Sequence, residues 1–369
     1  MYTLYERGVA MRLANLSKET LQQRIYDDIL QKINSGEFRY LEAIPALPDL
    51  CKLYGVSEAP VRKALDELAH AGFVLKKRGK GRGTIVTKRL TQYTIRTLLV
   101  ADVERQYSAI ETYHEVLEIM LGIVSGTKQQ GCRLEQISMS GFHNVRPADA
   151  STGYLVLAMS WNEYQQGLQL AESQRSPCVL VNPPGAGYSS VRVDMERGAY
   201  LAVNYLVQLG HRRIAYVGRD DTEWSRPRFD GYMRACREAG IEFNPALVKH
   251  TNGVLQEEDW SALDELMRLK DRPEAIFATS DYRAMHLLAR CKQLGINVPQ
   301  ELSICGYDDI SESTSIQPAL TTVQHPRYQL GELAVDMLVS MMDGLPNASD
   351  ERVVQPKLMM RDTCTTPRR

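Results

Sequence analysis

Residues 55–74, GVSEAPVRKALDELAHAGFV, combine a tight turn, a helix start and an apolar helix face in one short stretch. Gly55 suits the turn, Ser57 is a favourable N-cap residue, and Pro60 falls in the first helical turn, where proline is tolerated. Gly72 is placed to end the helix. The stretch therefore predicts an amphipathic helix that is entered directly from a turn. Its apolar positions recur at helical spacing: Val61, Ala64, Leu65 and Leu68.

Two further helical segments precede this stretch. Residues 46–54 predict a short helix, and residues 20–35, TLQQRIYDDILQKINS, predict a longer one that ends at Gly36. Two short helices joined through a glycine turn form a helix-turn-helix. The predicted apolar positions of the two segments are Leu47, Leu50 and Leu53, and Leu21, Ile25, Tyr26, Ile29, Leu30 and Ile33.

A basic β-hairpin is predicted after the helices. Residues 73–77 and 84–87 have strand character and are separated by the glycine-rich segment 78–83. Residues 76–89 contain seven basic side chains and no acidic one, and residues 18–93 have a net charge of +5, whereas the whole chain has −1. Lys and Arg neutralise DNA phosphates, and glycine lets a loop approach the DNA backbone closely. Two alternatives are a solvated basic surface and a nucleotide-binding loop, although the Walker pattern is absent.

The stretch from about 20 to 88 resembles the GntR family of winged helix-turn-helix DNA-binding domains, an α+β fold. The resemblance is carried by NSGEF at 34–38, by the block at 55–74 and by the glycine wing GKGRGT at 79–84. It implies that the start of the helix after Gly55 reads the major groove of double-stranded DNA, while the wing contacts the minor groove or the backbone. The DNA contacts that it implies are Ser57, Glu58, Ala59, Arg62, Lys63, Lys80, Gly81 and Arg82.

Two segments depart from the pattern of this family. Ala-Leu-Pro at 46–48 replaces the usual Ser-Glu-Arg run, and Glu-Ala-Pro at 58–60 replaces an arginine followed by threonines. We therefore expect an unusual DNA sequence preference or a modest affinity. Glutamate can accept a hydrogen bond from cytosine, and alanine can contact a thymine methyl group. The alternatives are an Arg62 paired with Asp66 at i+4 and a Glu58 that only stabilises the helix start.

From residue 96 onward the sequence alternates buried strands with amphipathic helices. After a polar connection at 89–95, RTLLVADV at 96–103 is typical of a buried parallel strand, and 110–130 predicts a helix that Gly131 ends. The pattern predicts a doubly wound α/β fold in two lobes, with ligands bound at the carboxyl ends of the strands, in the crevice between the lobes. Further strands are predicted at 133–138, 154–159, 178–182, 213–218, 275–279 and 302–306.

Residues 96–362 resemble the sensor domain of the LacI/GalR regulators, a periplasmic-binding-protein-like pair of lobes of type I. The resemblance is weaker over 100–160, where RQYSAIETY replaces the usual Asn-Pro-Phe segment. Together with the GntR-like domain, this arrangement resembles arabinose-type transcriptional regulators. The motifs that carry the resemblance are RVDMERGAYLAVNYLVQLGHRRIAYVG (192–218), SRPRFDGYMRACREAGI (225–241), AIFATSDYRAMHLLARCKQLGINVPQELSICGYDD (275–309) and PALTTVQHPRYQLGELAVDMLV (318–339).

This second resemblance implies the following ligand-contacting residues: Asn182, Arg228, Trp260, Ser280, Asp281 and Asp308. Their chemistry suits a sugar, because arginine can span two hydroxyl groups, aspartate accepts hydrogen bonds from hydroxyls, and an aromatic face packs on a sugar ring. The family often has asparagine where Ser280 stands. Alternatives are a structural cap for Asp281, on the helix beginning at Tyr282, and for Asp309. Tyr107 is either a cleft residue or a surface tyrosine.

Other features of the sequence exclude several classes of protein. No apolar run reaches the ~18 residues of a membrane-spanning helix, and the charged first residues do not fit a signal peptide, so we expect a cytoplasmic protein that does not bind membranes. The seven scattered cysteines form no CxxC pair, and we expect neither a metal nor a cofactor. His114 and Glu115 lack the second histidine of a zinc helix, and no nucleophile elbow occurs. We therefore expect no enzymatic activity.

The sequence as a whole predicts a homodimeric repressor whose affinity for operator DNA is controlled by a small carbohydrate-type effector. Two-fold symmetry would match a pseudo-palindromic operator. A solute-binding transport protein is the alternative, which the basic N-terminal region disfavours. Either Met1 or Met11 fits a translation start. The expected domains are a tail at 1–17, the winged helix-turn-helix at 18–88, a linker at 89–95, the ligand-binding domain at 96–362, with lobe one at about 96–191 and 325–354 and lobe two at about 192–324, and a tail at 363–369.

Overall fold

The contacts within the chain divide it into two units, Met1–Tyr93 and Thr94–Arg369, and each is described by itself. The computed structural model describes residues 20–34, 37–38, 40, 42–76, 83–87, 93–100, 109–138, 147–158, 160–185, 187–219, 223–251, 256–348 and 350–367.

Three helices pack together in the first unit: α1 (Leu21–Asn34), α2 (Leu47–Tyr54) and α3 (Glu58–His70). Gly55 has φ 64°, a left-handed conformation that glycine adopts without strain, and its N–H donates to the carbonyl of Lys52, which ends α2. The predicted helix-turn-helix is thus confirmed. Leu21, predicted on the buried face of α1, is instead exposed. The helical side chains that form the core are Ile25, Ile29, Ile33, Leu50, Val61, Ala64, Leu65 and Leu68.

A three-stranded antiparallel sheet completes the winged helix. It consists of β1 (Ala43–Ile44), β2 (Val74–Lys76) and β3 (Thr84–Val86) in the order β1-β3-β2. Strands β2 and β3 are the predicted hairpin, and Val74 and Val86 pair across it in the core. The tip of the wing, residues 77–82, lies outside the described residues.

Lobe one of the second unit is built on a six-stranded parallel sheet with the order β14-β8-β7-β6-β4-β5. Consecutive residues such as Leu155 and Val156 are both buried, so apolar side chains cover both faces of the sheet, as expected for parallel strands covered by helices. The elements of lobe one are β4 (Thr94–Val100), α4 (Ala109–Gln129), β5 (Arg133–Ser138), β6 (Thr152–Ala158), α5 (Trp161–Ser173), β7 (Cys178–Val181), β8 (Ser190–Val193), α10 (Arg327–Met342) and β14 (Arg352–Val354).

Lobe two has a four-stranded parallel sheet with the order β10-β9-β11-β12 and an antiparallel pair, β13 and β15, beside it. One apolar cluster packs α6 and α7 on the sheet, and a second packs α8 and α9 on it. These findings confirm the predicted two-lobed, doubly wound fold. The elements are α6 (Met195–Leu209), β9 (Ile214–Gly218), α7 (Ser225–Glu238), β10 (Val248–His250), α8 (Gln256–Arg268), β11 (Ala275–Ala278), α9 (Asp281–Leu294), β12 (Ser303–Cys305), β13 (Thr322–Gln324) and β15 (Lys357–Met359).

Glycines let α4 and α10 of lobe one approach each other closely. A Cβ atom at Gly122 would lie 2.0 Å from the carbonyl oxygen of Tyr328, and one at Gly331 would lie 2.2 Å from the carbonyl oxygen of Ile119. Both obstacles are backbone atoms, so neither position can accept a side chain unless the helices move apart.

Three expected boundaries of the second unit are wrong. Thr94 and Ile95, placed in the linker, are the first residues of β4 and pair with β5 and β6. Strand β8 belongs to the sheet of lobe one, so lobe two begins after Val193 and not at 192. Thr363, placed in the C-terminal tail, is fully buried, and its hydroxyl donates to the carbonyl of Ile304. Thr94 and Thr363 are polar residues at the two ends of the expected domain, so no apolar run marked them as part of the fold.

Candidate functional site

The N-terminal end of α3 is the candidate DNA-reading element of the first unit. Ser57 occupies the N-cap position, although its side chain makes no capping hydrogen bond. Ser57, Glu58 and Ala59 are all exposed there. The first turn of α3 therefore offers backbone N–H groups and the positive end of the helix dipole to an anionic partner such as a DNA phosphate.

Arg62 is held across the first turn of α3 by an ion pair. Its Nη2 lies 2.8 Å from Oε2 of Glu58, and the two side chains are 60% and 59% exposed. The alternative pairing with Asp66 is wrong, because Asp66 Oδ1 lies 2.6 Å from Nζ of Lys76 on β2. Such exposed ion pairs contribute little to stability. The Arg62 side chain can therefore leave Glu58 for a DNA group with only a small loss of free energy.

The remaining predicted DNA contacts are only partly described. Lys63 is exposed on α3, next to Arg62. Lys80, Gly81 and Arg82 lie outside the described residues, and their contact with DNA stays a prediction.

The candidate ligand site of the second unit lies where parallel strands of the two lobes end. Asn182 directly follows β7 of lobe one, and Asp308 lies three residues after β12 of lobe two. Asn182, Asp308 and Asp309 have φ values of 57°, 122° and 56°. Asn and Asp adopt φ values near 57° more readily than other side chains do, whereas the φ of Asp308 is costly for any residue except glycine and needs surrounding contacts to hold it.

The carboxylate of Asp308 lies between two arginines. Its Oδ1 is 2.8 Å from Nη2 of Arg327, at the start of α10, and 3.8 Å from Nη2 of Arg228 on α7. Arg327 also donates through Nη1 to the carbonyl of Asp308 at 3.1 Å, and this Nη1 lies 3.9 Å from Oε2 of Glu118 on α4. Arg327 thus connects the strand end of lobe two to a helix of lobe one.

Two buried rings lie beside the arginines. The guanidinium carbon of Arg228 is 4.5 Å from the ring centre of Tyr307, and the Tyr307 and His325 rings are 6.4 Å apart. Burial raises the pKa of Tyr307 to about 12. Burial, followed by the positive charges of Arg327 and Arg228, holds the pKa of His325 well below its usual value. Both rings are therefore neutral near pH 7.

Asp281 holds the loop after β12 in place. Asp281 Oδ2 accepts from the N–H of Ile310 at 3.0 Å, and Oδ1 accepts from the hydroxyl of Thr322. Burial, and secondly the charge of Asp308, raises the pKa of Asp281 well above its usual value. The N-cap of α9 is Ser280, whose Oγ accepts from the N–H of Arg283, so the alternative that Asp281 caps this helix is wrong.

The side chain of Trp224 joins the two lobes next to Asn182. The indole N–H of Trp224, just before α7, donates to the carbonyl of Asn182 at 3.3 Å, and this indole packs on the core of lobe one. The side-chain oxygen of Asn182 accepts from the N–H of Val193 at 3.4 Å. Trp161, at the start of α5, has its ring centre 5.0 Å from that of Tyr188. Trp161 and Tyr188 therefore form a pair of aromatic rings near the strand ends of lobe one.

Trp260 is placed differently from the other predicted ligand contacts. Its indole N–H donates to the carbonyl of His286 on α9 at 3.0 Å, and the guanidinium of Arg290 lies 5.6 Å from its ring. The preceding residue, Asp259, is buried in an ion pair with Arg283. These contacts place the Trp260 ring between α8 and α9.

The structure thus brings Arg228, Asp308 and Asp281 of the predicted set together at one end of lobe two. Sequence reasoning missed Tyr307, His325 and Arg327, although the motifs at 275–309 and 318–339 contain them. Tyr307 directly follows the predicted strand at 302–306, and that position is the signal that could have identified it, whereas His325 and Arg327 follow β13, which the sequence did not indicate. Tyr107 lies outside the described residues. Among the described residues, no His, Cys, Asp and Glu side chains are grouped to ligate a metal ion, and no helix is long and apolar enough to cross a bilayer.

A winged helix-turn-helix joined to a two-lobed α/β domain with a charged cleft defines the class of DNA-binding transcriptional regulators with a sensor domain. Residues 21–86 match the family model for bacterial regulatory proteins of the gntR family, and residues 203–364 match that for a periplasmic binding protein-like domain. The chain therefore carries a GntR-type DNA-binding domain and a LacI/GalR-like sensor domain, and it is a transcriptional regulator.

Relatives with known names agree with this assignment. An arabinose metabolism transcriptional repressor of Halalkalibacterium halodurans is 27% identical over 379 aligned positions, which cover 93% of this chain and 96% of that protein. The transcriptional regulator CelR in complex with cellobiose is 22% identical, with a TM-score of 0.62 over 87% of this chain and all of that one. A LacI family regulator of Enterococcus faecium with bound ribose is 21% identical, with a TM-score of 0.59 over 74% of this chain and 99% of that one. Such full-length similarity to a repressor does not favour the solute-binding alternative.

Proposed function

We propose that this protein is a cytoplasmic, homodimeric repressor whose affinity for operator DNA falls when a neutral sugar binds between the two lobes of the second unit. The observation that carries the proposal is the Arg228–Asp308–Arg327 cluster, which lies at the ligand-binding edge of a parallel sheet. The arabinose repressor and the regulators bound to cellobiose and ribose support a sugar as the ligand class. The proposal is purely regulatory and includes no catalytic step, metal or cofactor.

Each part of the cleft has a proposed role in holding the sugar. The guanidinium of Arg228 spans two neighbouring hydroxyl groups, and the carboxylate of Asp308 accepts from a third. Trp161 and Tyr188 supply an aromatic face for the apolar side of the ring. Asp281 acts by fixing the backbone that carries Asp308, and Ser280 caps α9, the helix that begins with Asp281. Asn182 holds the contact between the lobes through Trp224. Trp260 contacts the sugar only if it leaves its position against His286.

In the first unit, the proposed DNA contacts are the residues at the start of α3 and in the wing. Ser57, Glu58 and Ala59 approach base edges, and Arg62 and Lys63 bind phosphates or bases, as their exposure allows. Lys80, Gly81 and Arg82 are proposed to track the DNA backbone.

The sensor signals through Arg327 in this proposal. A sugar hydroxyl that binds Asp308 competes with Arg327 for the same carboxylate oxygen, while Glu118 on α4 lies within reach of Arg327. Ligand binding therefore changes the balance of contacts between the lobes. A ligand shifts a conformational equilibrium only through such a difference in affinity for the two states.

The proposal is tested with the full chain and DNA from the region upstream of its own gene. Fluorescence anisotropy measures the affinity for that DNA with and without L-arabinose, D-ribose or cellobiose, in wild type and in two variants. Arg62→Ala should lose at least about tenfold in DNA affinity and retain sugar binding. Arg228→Ala should retain DNA binding and lose the response to sugar.

Matched variants control for the loss of an arginine. Arg226→Ala removes an exposed arginine from α7 two residues from Arg228, and Arg268→Ala removes one at the end of α8. Both should behave as wild type. A wild-type protein that binds one of these sugars without any change in DNA affinity would contradict the proposed mechanism.

A further inference from the structure

Arg62 points toward the start of α3 because its other neighbour along the helix is occupied. Glu58 and Asp66 lie four residues before and after Arg62, and side chains at this spacing are neighbours on a helix surface. Lys76 of β2 binds Oδ1 of Asp66 at 2.6 Å, and its Nζ also lies 3.5 Å from the carbonyl oxygen of Arg62. Arg62 pairs with Glu58 instead, and its Nη2 donates to Oε2 at 2.8 Å.

The ion pair of Glu58 and Arg62 keeps hydrogen-bonding capacity for a third group. Both side chains are more than half exposed. A guanidinium carries several N–H donors in one plane, and the contact with Glu58 uses one of them. A carboxylate accepts on both of its oxygens, and Arg62 occupies one. The pair can therefore donate to one partner and accept from another without separating.

Glu58 gives the first turn of α3 an acidic character. It is followed by Ala59, Pro60 and Val61, so this turn has no other charged side chain. An acidic group stabilises a helix start through the dipole, but it repels the phosphates that a helix start otherwise attracts. In a helix that approaches DNA, the carboxylate therefore favours binding only where it meets a hydrogen-bond donor.

One base pair presents the matching pattern in the major groove, where a helix-turn-helix places the first residues of its second helix. A G·C pair shows two acceptors on guanine, N7 and O6, and then a donor, the N4 amino group of cytosine. Arginine donates to the guanine acceptors, and glutamate accepts from cytosine N4. In an A·T pair, thymine presents the acceptor O4 instead, which repels a carboxylate.

We infer that Glu58 is a specificity-determining residue and that Glu58 and Arg62 together read one G·C base pair, with Arg62 on guanine and Glu58 on cytosine. The inference deepens the proposed function and rests on it, because it assigns a base pair to the element that binds operator DNA. The ion pair already holds the arginine in place, so little side-chain freedom is lost on binding. Glu58 also weakens binding to other sequences, because its charge then meets an acceptor or a phosphate.

The first experiment selects binding sites for the full chain from random-sequence DNA. Glu58→Gln keeps the size of the side chain and removes its charge, and Arg62→Lys keeps the charge and removes the planar fork. In both variants, the preference for G·C should fall at least about fivefold at the same base pair of the selected site and persist at the other positions.

Glu67→Gln is the matched control on the same helix. Glu67 is exposed near the other end of α3, where its carboxylate accepts from the side-chain amide of Gln22. This variant undergoes the same loss of charge and should select the same sequence as wild type. Thermal unfolding of Glu58→Gln should match that of wild type, since exposed ion pairs contribute little to stability.

The second experiment measures affinity by fluorescence anisotropy for the selected site and for the same site with this G·C pair replaced by A·T. Glu58→Gln should bind the A·T site more tightly than wild type does, because the repulsion is removed; a residue that only stabilises the helix would not have this effect. The double variant should discriminate no less than the weaker of the two single variants, because the two residues read one base pair.

The outcomes separate this inference from the proposed function. An unchanged preference in Glu58→Gln, or a loss of preference at different base pairs in Glu58→Gln and Arg62→Lys, would overturn the inference and leave sequence-specific binding by wild type intact. A wild type that selects no sequence would contradict both.

Discussion

Asp308 combines an unfavourable backbone conformation with two ionic partners. Its φ of 122° lies in a region that residues other than glycine rarely adopt. Its N–H donates to the carbonyl of Val323, and its own carbonyl accepts from the N–H of His325 and from Nη1 of Arg327. The carboxylate then reaches Arg327 and Arg228 from this backbone. Strain of this kind persists where several contacts determine the conformation together, and here they come from Val323, His325 and the two arginines of the candidate site.

Replacing Asp308 with asparagine should cost both stability and sensing. The amide keeps the shape but removes the negative charge between the buried Arg327 and the partly buried Arg228, and breaking a buried ion pair costs about 3 kcal/mol. Urea unfolding of Asp308→Asn should show a loss of this size together with loss of sugar binding. Asp230→Asn breaks the exposed pair with Arg226 on the same lobe and should cost less than about 0.5 kcal/mol. Equal costs for the two variants would contradict the role given to Asp308.

The buried histidines should make the protein less stable in acid. Burial lowers the pKa of His211 and, with two arginines, holds that of His325 well below the usual 6.5. The unfolded chain therefore takes up protons below about pH 6.5 that the native protein does not bind, and the free energy of unfolding falls there. His325→Leu removes one such site. Its stability relative to wild type should rise by about 2 kcal/mol between pH 7.5 and pH 5, measured by urea unfolding.

The comparison of His325→Leu with wild type isolates this one titration. Asp281 acts in the opposite direction, because its pKa is raised in the native protein. Above about pH 4 the native protein therefore binds more protons at this residue than the unfolded chain does. The contribution of Asp281 to the free energy of unfolding is lost as pH rises through the raised pKa. That contribution is common to both proteins and cancels. A difference that stays constant across the pH range would show that His325 binds its proton equally in the native and the unfolded state, and would contradict the lowered pKa.

At the scale of elements, strong periodic patterns were predictable, whereas three of the short strands were not. The apolar stripe of α3 and the buried runs of β6 and β7 indicated these elements from sequence. Strands β10, β13 and β15 each have only three residues and pair through backbone groups, so their sequences carry no reliable period.

The candidate site was predictable to a similar degree. Arg228 and Asp308 were found because they lie in motifs with a recognisable family pattern, and the structure brings them together. His325 and Arg327 escaped because a buried polar residue has no hydrophobic period and is recognised only by its neighbours. Trp260 is the opposite case, because the family pattern predicted it as a ligand contact, whereas its indole packs against α9.

Close packing of α4 on α10 should depend on its glycines. Gly122→Ala puts a methyl group on the carbonyl oxygen of Tyr328, and because backbone cannot rotate away, the helices must separate. Overpacking of this kind costs about 1–3 kcal/mol or more. Gly185→Ala adds the same methyl group where nothing lies within 4 Å and should leave stability nearly unchanged. Chemical denaturation of the two variants checks this expectation, and similar values would contradict the packing argument.

At the scale of the whole molecule, α4 presents an apolar stripe that lobe one leaves uncovered. Leu117, Leu121 and Val124 are 57%, 51% and 48% exposed and follow one another at helical spacing. Glu118, which faces Arg327, lies on the same helix. Because the stripe is self-complementary, a second copy of the chain related by a two-fold axis would bury it, and the same helix would then carry the contact between the lobes and the contact between subunits.

Placing a charge in this stripe should separate the subunits without unfolding them. Leu121→Glu would bury a carboxylate in an apolar interface, so the variant should sediment as a monomer with an unchanged circular dichroism spectrum. It should also bind operator DNA at least about tenfold more weakly, because a monomer reads only one half-site. Phe243→Glu introduces the same charge at another exposed apolar side chain, 48% exposed and outside the stripe, and should stay dimeric. A Leu121→Glu variant that sediments as wild type does would show that α4 does not join the subunits, and the coupling through Glu118 and Arg327 would then have to act within one chain.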